Sequence, residues 1–184
     1  MSHVAIAAIE TSSIAQGVVA ADAMLKTADV ELLQSTTLSP GRYWVLIGGE
    51  VAAVRASHRR GVEVAADTLL DQLFIPQLHE GVLPALGGVV ATGPDDALGI
   101  LETLTAASAI VAADTAVKAA NVTVRDVRRL HGRVGGKGVV SLSGTVSAVQ
   151  AAIDAGRADA LKRGLLARAV VIPRLDPQLR GRMG

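Results

Sequence analysis

The chain of 184 residues contains no cysteine, and this absence removes several kinds of chemistry at once. Disulfides, thiolate zinc sites, cysteine-ligated iron–sulfur clusters and cysteine nucleophiles are all excluded. Aromatic residues make up only 2% of the chain, namely Tyr43, Trp44 and Phe74, which leaves little surface on which bases or sugars could stack. The formal net charge is +1, so no strong overall field attracts nucleic acid or anionic lipid. We therefore expect neither a nucleic-acid partner nor a membrane partner.

Long apolar runs are missing as well, although half of the chain is hydrophobic and its mean hydropathy is +0.42. No stretch reaches the roughly 18 apolar residues that a membrane-spanning helix needs. Residues 1–4 have neither the basic segment nor the cleavage site of a signal peptide. With 19% charged residues, the composition indicates a folded protein, which we expect in the reducing interior of a cell.

The most informative feature of the sequence is an internal repeat. Residues 20–30 read AADAMLKTADV and residues 112–122 read AADTAVKAANV, so that six of eleven positions are identical at an offset of 92. Residues 45–54, VLIGGEVAAV, align in the same way with residues 140–149, VSLSGTVSAV. The order of the matching blocks is kept along the chain, which indicates a tandem duplication of a unit of about 90 residues.

Hydrophobic periodicity predicts the element order βαββαβ in each unit. The predicted strands are 3–10, 30–36 and 42–49 in the first unit and 96–103, 122–129 and 137–144 in the second, each unit closing with one further strand; the predicted helices are 13–28, 50–69 and 145–164. The fold class is therefore α/β (α+β), with two ferredoxin-like domains, 1–85 and 94–184, each an antiparallel sheet with helices on one face. A segment rich in proline and glycine at about 80–95 is predicted to be the linker.

The repeated motifs resemble the shell-protein domain of bacterial microcompartments. They are the helix end AADAMLKTADV, the strand ending in GGEVAAV and the closing Ile-Pro-Arg strand, and they cover roughly residues 3–80 and 96–177. Two such domains in one chain resemble the tandem-domain shell proteins, which form trimers that are pseudohexagonal tiles with a central pore. The resemblance implies a non-enzymatic structural protein in the microcompartment shell of a bacterial cytoplasm. The partners it implies are further copies of the chain, hexameric and pentameric shell proteins bound edge to edge, and the enclosed enzymes.

The resemblance also assigns tile-edge contacts to four residues. Lys26 and Lys118 hold the position of a lysine that, in the family, meets its counterpart across the tile boundary. Arg174 holds the position of an arginine after the last strand, and Gln77 replaces it in the first unit, so we expect the edges of the two units to differ. Each lysine also follows an aspartate by four residues, and the alternative reading is a simple helix ion pair worth about 0.3–0.5 kcal/mol. Both readings can hold at once.

Two loops correspond to the pore loop of the family. Small residues there would leave a passage, and a basic residue after the glycine in each unit would favour anionic or polar solutes. The predicted pore residues are Ser39, Pro40, Gly41 and Arg42 in the first unit and Val134, Gly135, Gly136 and Lys137 in the second. The alternative is a pair of ordinary tight β-turns whose basic residues point into solvent.

One branch of the tandem family binds an iron–sulfur cluster through a loop cysteine that precedes Pro-Gly. Ser39 stands where that cysteine would be, and serine is a poor ligand for such a cluster. The four histidines show no metal-binding spacing. We therefore expect no cofactor, no metal and an open pore.

A second function stays open from the sequence, namely a trimeric ferredoxin-like regulatory module that binds a metabolite in clefts between subunits. Such a module would need recognisable anion-cradling loops. The glycine-rich segment 131–138 is not a phosphate-binding loop, because the spacing of its glycines is wrong and a strand follows it. The basic clusters 58–60 and 125–133 are expected to be solvated faces or subunit contacts.

Overall fold

The computed structural model describes residues 5–88, 97–129 and 136–179. Within the first unit these residues form β1 (Ala5–Thr11), α1 (Ile14–Thr27), β2 (Glu31–Leu38), β3 (Arg42–Gly49), α2 (Val51–Ala65), β4 (Leu69–Ile75) and α3 (Val82–Leu86). Within the second unit they form β5 (Ala97–Thr103), α4 (Ala106–Ala119), β6 (Thr123–Arg129), β7 (Gly138–Gly144), α5 (Val146–Lys162) and β8 (Leu166–Ile172). Short 3-10 segments at Ala66–Thr68 and Pro177–Leu179 follow α2 and β8.

Each unit forms one antiparallel sheet, with strand orders β2-β3-β1-β4 and β6-β7-β5-β8. The predicted fold class, two tandem βαββαβ domains with antiparallel sheets, is confirmed. The register corresponds as well, because Ala5 lies opposite Gly49 in the first sheet and Ala97 lies opposite Gly144 in the second. The duplication that the sequence indicates therefore extends to the pairing of individual residues.

Helix boundaries follow from local chemistry. Side-chain hydroxyls accept hydrogen bonds of 3.2–3.3 Å from first-turn backbone N–H groups, and the capping residues are Ser13 for α1, Thr105 for α4 and Thr145 for α5. The helix predicted for residues 50–69 ends earlier, at Ala65, because Ala66 has a φ of 47° and turns the chain into the 3-10 segment. Among the described residues, no helix is long and apolar enough to cross a membrane.

The inner face of each sheet packs against the helices of its own unit. In the first unit, Ala5, Ala7 and Ile9 of β1 share a core with α1 and α2. The layers approach closely, since a Cβ added at Gly61 in α2 would lie 2.5 Å from the side chain of Met24. Small residues are therefore required where the two helices cross.

The outer face of the first sheet is covered by the second unit. Ile6, Ala8 and Leu73 belong to the same hydrophobic core as Ile110 and Ala113 of α4, and all five are buried. Helix α4 contacts both β1 and β4. We call this contact, between the outer face of β1 and β4 and the start of the second unit's helix layer, the joint.

Part of the segment predicted to be the linker is helical, because α3 lies inside residues 80–95. Val82 and Ala85 are fully buried, and α3 packs against β6 and α4. Pro84 is compatible with this helix, since the first helical turn contains N–H groups that have no partner within the helix. The remainder of the predicted linker, residues 89–96, lies outside the described residues.

Candidate functional site

The first predicted pore loop is a three-residue turn between β2 and β3. It contains a cis peptide bond between Ser39 and Pro40, and Gly41 has a φ of 67°, a conformation that favours glycine. Pro40 and Gly41 are exposed. In the second unit Gly136 has a φ of 86°, whereas the predicted pore residues Val134 and Gly135 lie outside the described residues.

Arg42 brings the two predicted pore loops together inside one chain. A Cβ added at Gly136 would lie 2.2 Å from Nη1 of Arg42, so the guanidinium lies directly against this glycine. The same nitrogen donates a hydrogen bond of 2.8 Å to Oε1 of Glu10, which is fully buried. The other oxygen of Glu10 accepts a hydrogen bond of 3.0 Å from the backbone N–H of Ala106, at the start of α4. Glu10 and Arg42 thus hold the first loop against the second unit.

The buried position of Glu10 has an electrostatic cost. Burial raises the pKa of Glu10 above its ordinary value, and the nearby carboxylate of Asp71 acts in the same direction. The hydrogen bonds from Arg42 and Ala106 and the charge of Arg42 lower the pKa but do not cancel the effect of burial. The carboxylate therefore depends on Arg42 for its charge balance, and the charge of Arg42 is largely compensated within the chain.

The corresponding ion pair of the second unit is longer and more exposed to solvent. Lys137 and Glu102 occupy the positions of Arg42 and Glu10, and their charged atoms are 3.9 Å apart. Both side chains are partly exposed. Of the two basic residues predicted to face solutes, Lys137 is therefore the less tightly paired.

A second polar network crosses the joint and was not predicted from the sequence. Asp71 on β4 is buried and accepts a hydrogen bond of 2.9 Å from the hydroxyl of Ser108, as well as hydrogen bonds from Thr105 Oγ1 and Arg163 Nη2. Burial lowers the pKa of Arg163, but the hydrogen bond and charge of Asp71 outweigh this and the net shift is upward. The signal in the sequence is an acidic residue in each of two mainly apolar strands, Glu10 in β1 and Asp71 in β4.

Two of the four predicted edge residues meet in the structure. Lys118 Nζ donates to the backbone carbonyl of Gln77 and forms an ion pair of 2.6 Å with Asp114. The second carboxylate oxygen of Asp114 accepts a hydrogen bond of 2.8 Å from the backbone N–H of His79. This contact ties the closing segment of the first unit to α4.

The other two predicted edge residues, Lys26 and Arg174, are both exposed. Lys26 forms an ion pair of 2.7 Å with Asp22, which also supports the helix-pair reading. Lys26 corresponds to Lys118, and Arg174 corresponds to Gln77. Lys26 and Arg174 are therefore the counterparts of the Lys118–Gln77 pair, but they lie near opposite ends of the chain.

Corresponding faces of the two units differ sharply in exposure. On α4, Ala106 and Ile110 are 1% exposed, whereas their counterparts on α1, Ile14 and Val18, are 42% and 48% exposed. Strand β4 buries Asp71, Leu73 and Ile75, whereas the counterparts on β8 are exposed or half-buried: Arg168, Val170 and Ile172. The chain therefore forms one joint internally and leaves uncovered the two faces from which an equivalent joint would be made.

The basic cluster at residues 58–60 is only partly a solvated face. The ring of His58 is half-buried and stacks on Phe74 with 6.1 Å between ring centroids, while Arg55 lies 5.1 Å from the same ring. Burial lowers the pKa of His58. Across the described ranges, no three histidine or acidic side chains are grouped as a metal site.

Comparison with known proteins places these features in context. The sequence pattern of the BMC domain matches residues 5–78 and 97–175. The chain is similar to the bacterial microcompartment shell protein PduT of Citrobacter freundii, with 44% identity over 170 residues, covering 92% of each protein. It is also 35% identical over 96 residues to the carboxysome shell protein CsoS1 of Prochlorococcus marinus, covering 50% of this chain and 93% of that protein.

Solved structures show the same likeness. A microcompartment protein from Desulfitobacterium hafniense DCB is 43% identical, with a TM-score of 0.84 over 96% of this chain and 97% of that one. The fused permuted hexameric shell protein MSM0275 from the RMM microcompartment is 26% identical, with a TM-score of 0.64 over 85% of this chain and 81% of that one.

Proposed function

The chain belongs to the BMC domain family of microcompartment shell proteins, and on that premise we propose that three copies form one pseudohexameric tile. In this tile the second unit of each copy meets the first unit of the next copy, as the first unit meets the second inside the chain. The tile is a non-enzymatic part of the shell, and its central pore passes small polar or anionic metabolites.

The observation that carries this proposal is the unequal burial of equivalent faces. Ile14 and Val18 on α1 are exposed apolar residues at positions where α4 is buried, and the outer face of β8 is similarly uncovered. A monomer would leave this apolar helix face in water. Head-to-tail contact between copies covers both faces at once, because α1 of one copy then packs on β5 and β8 of another.

Polar groups on the uncovered faces also match. Inside the chain, Glu10 accepts the first free N–H group of α4, from Ala106. Glu102 is the counterpart of Glu10, and the N–H group that corresponds to Ala106 is that of Ile14 in α1. In the tile, Glu102 accepts this N–H group from the next copy, with Lys137 beside it as Arg42 is beside Glu10.

The same arrangement assigns the pore and the edge. Because Arg42 already lies against Gly136 inside the chain, repetition of the joint brings the loops at 39–42 and 134–137 around one axis. At the edge, Lys118 and Gln77 pair within the chain, and Lys26 takes the corresponding position beside Arg174 of another copy. These edge groups then contact neighbouring hexameric and pentameric shell proteins.

The native mass of a matched pair of variants tests the proposal. Wild-type protein is expected at about 56 kDa, three times 18.8 kDa, in salt that suppresses tiling. Val18→Asp places a charge on the uncovered face of α1 and is expected to give monomers. Val146→Asp is the control, because Val146 is an equally exposed valine, 42% against 48%, at the start of α5. A monomeric wild type, or a Val18→Asp trimer, contradicts the proposal.

Microscopy of the assembled protein separates the tile from the regulatory-module alternative. A shell tile is expected to form extended sheets or tubes when the salt concentration is lowered. A regulatory module would remain as discrete trimers, and its mass would change on addition of a metabolite.

A further inference from the structure

The joint inside the chain contains an ion pair between the fully buried carboxylate of Asp71 and the partly exposed guanidinium of Arg163. The uncovered faces carry a basic residue at the counterpart of Asp71 and an acidic residue next to the counterpart of Arg163. We infer that Arg168 of one copy pairs with Asp67 of the next, with polarity opposite to the Asp71–Arg163 pair inside the chain. The inference rests on the head-to-tail tile proposed above.

Strand register establishes one side of the correspondence. Asp71 on β4 lies directly opposite Glu10 on β1, and Arg168 on β8 lies directly opposite Glu102 on β5. Residues that face each other across antiparallel strands point to the same side of the sheet. Arg168 therefore lies on the uncovered outer face, at the place where the first unit presents a carboxylate.

Backbone hydrogen bonds establish the other side. The N–H of Leu104 donates to the carbonyl of Leu165, and the N–H of Ser12 donates to the carbonyl of Thr68, both at 2.8 Å. Residues 163–165 of the second unit thus align with residues 66–68 of the first. Asp67 stands one residue from the position that corresponds to Arg163.

The strand position and the loop position exchange side-chain length as well as charge between the two kinds of joint. Inside the chain a short carboxylate on the strand meets a long guanidinium on the loop that follows the helix. Between copies, the long side chain of Arg168 is on the strand and the short side chain of Asp67 is on the loop, so a similar gap is spanned. Both side chains are exposed, and neither forms a hydrogen bond or ion pair with another residue of the described ranges.

One of the two hydroxyl residues that contact Asp71 also has a different counterpart in the first unit. Asp71 accepts hydrogen bonds from the hydroxyls of Thr105 and Ser108, which suits a carboxylate. Their counterparts on α1 are Ser13 and Gln16. Gln16 donates its amide N–H to the carbonyl of Val64 at 2.5 Å, which leaves its side-chain oxygen to accept from an arginine.

The charges agree with the order of units that the covered faces already impose. Asp71 and Arg163 are paired inside the chain, so the faces left for a second copy are the helix face of the first unit, near Asp67, and the sheet face of the second unit, which carries Arg168. Contact between these two faces brings opposite charges together at every joint between copies. The pair therefore specifies a second copy of this chain, in one orientation, as the partner.

Charge reversal tests the pair. Arg168→Asp and Asp67→Arg each place like charges in every joint between copies, and each is expected to raise the protein concentration at which trimers half-dissociate by about tenfold or more. The double variant Asp67→Arg with Arg168→Asp restores opposite charges and is expected to recover most of the loss. Arg59→Asp, an exposed arginine on α2, controls for the change in net charge. Thermal unfolding by circular dichroism checks that each variant is folded.

Mixing the two single variants gives a second test, with a result that a merely structural defect would not produce. In a trimer that contains both chains, two of the three joints regain opposite charges, so native mass spectrometry should show more mixed trimers than random association gives. If the wild type is trimeric but the single variants are unaffected, or the double variant recovers nothing, the ion pair is contradicted and the tile is not. A wild type that is not trimeric overturns the tile and the pair together.

Discussion

Replacing Arg42 by methionine should destabilise the protein through a buried charge rather than through lost packing. Glu10 is fully buried, and Arg42 supplies its only compensating cation among the contacts described, at 2.8 Å. Removing one partner of a buried ion pair typically costs about 3–5 kcal/mol. Because Arg42 retains partial contact with solvent, we expect about 3 kcal/mol at pH 7, at the low end of that range.

The pH dependence identifies the cause of this loss. Burial already raises the pKa of Glu10 in the folded protein, and loss of Arg42 raises this pKa further. A carboxyl whose pKa is higher in the folded state binds more protons when folded, so its unfavourable contribution grows as the pH rises from 4.5 through the folded pKa. Arg42→Met should therefore lose less stability relative to wild type at pH 5 than at pH 7.

Urea unfolding at equal subunit concentration measures both effects. The double variant Arg42→Met with Glu10→Gln removes the charge as well as its partner, and it should recover about 2 kcal/mol of the loss. Arg60→Met is the control, since Arg60 forms an exposed ion pair of 3.3 Å with Glu63 and should cost less than about 1 kcal/mol. An Arg42→Met loss no larger than that of the control, or one independent of pH, would refute the reasoning.

Three further predictions concern the loop, the aromatic cluster and the edge. Gly136→Ala should destabilise by about 1–3 kcal/mol in urea unfolding, because its φ of 86° is unfavourable for alanine and its Cβ would lie 2.2 Å from Arg42 Nη1; an unchanged midpoint would contradict this. Burial lowers the pKa of His58, so its contribution to stability is present above pH 6.5 and is lost as the pH falls through the folded pKa; His58→Gln should remove that part of the acid sensitivity, by at most about 1.4 kcal/mol per pH unit. Lys26→Ala with Lys118→Ala should abolish sheets in electron micrographs while the native mass stays trimeric, and normal tiling would remove both lysines from the edge.

The order of the strands and helices could be predicted because the same pattern occurs in both units of the sequence. Hydroxyl caps such as Ser13 and Thr105 mark helix starts, and the alternation of apolar residues marks the strands. Helix α3 was missed because Pro84 and the glycines near it are typical of a linker. Its buried residues, Val82 and Ala85, reveal their role only when β6 is placed beside them.

The polar contacts of the joint could not be predicted, because they connect residues that are far apart in the chain. Arg42 and Glu10 are separated by 32 positions, Ala106 and Glu10 by 96, and Arg163 and Asp71 by 92. No local pattern pairs such residues. The sequence indicates only that a charged residue interrupts an apolar strand, and burial of the strand's outer face by the second unit explains why that charge needs a partner.

Cryo-electron microscopy of the wild-type particle tests the central claim most directly. We expect three copies around one axis, with the loops that contain Gly41 and Gly136 alternating at that axis and α1 of each copy packed on β5 and β8 of another. A particle in which these loops lie at the periphery, or in which α1 remains exposed to solvent, would contradict it.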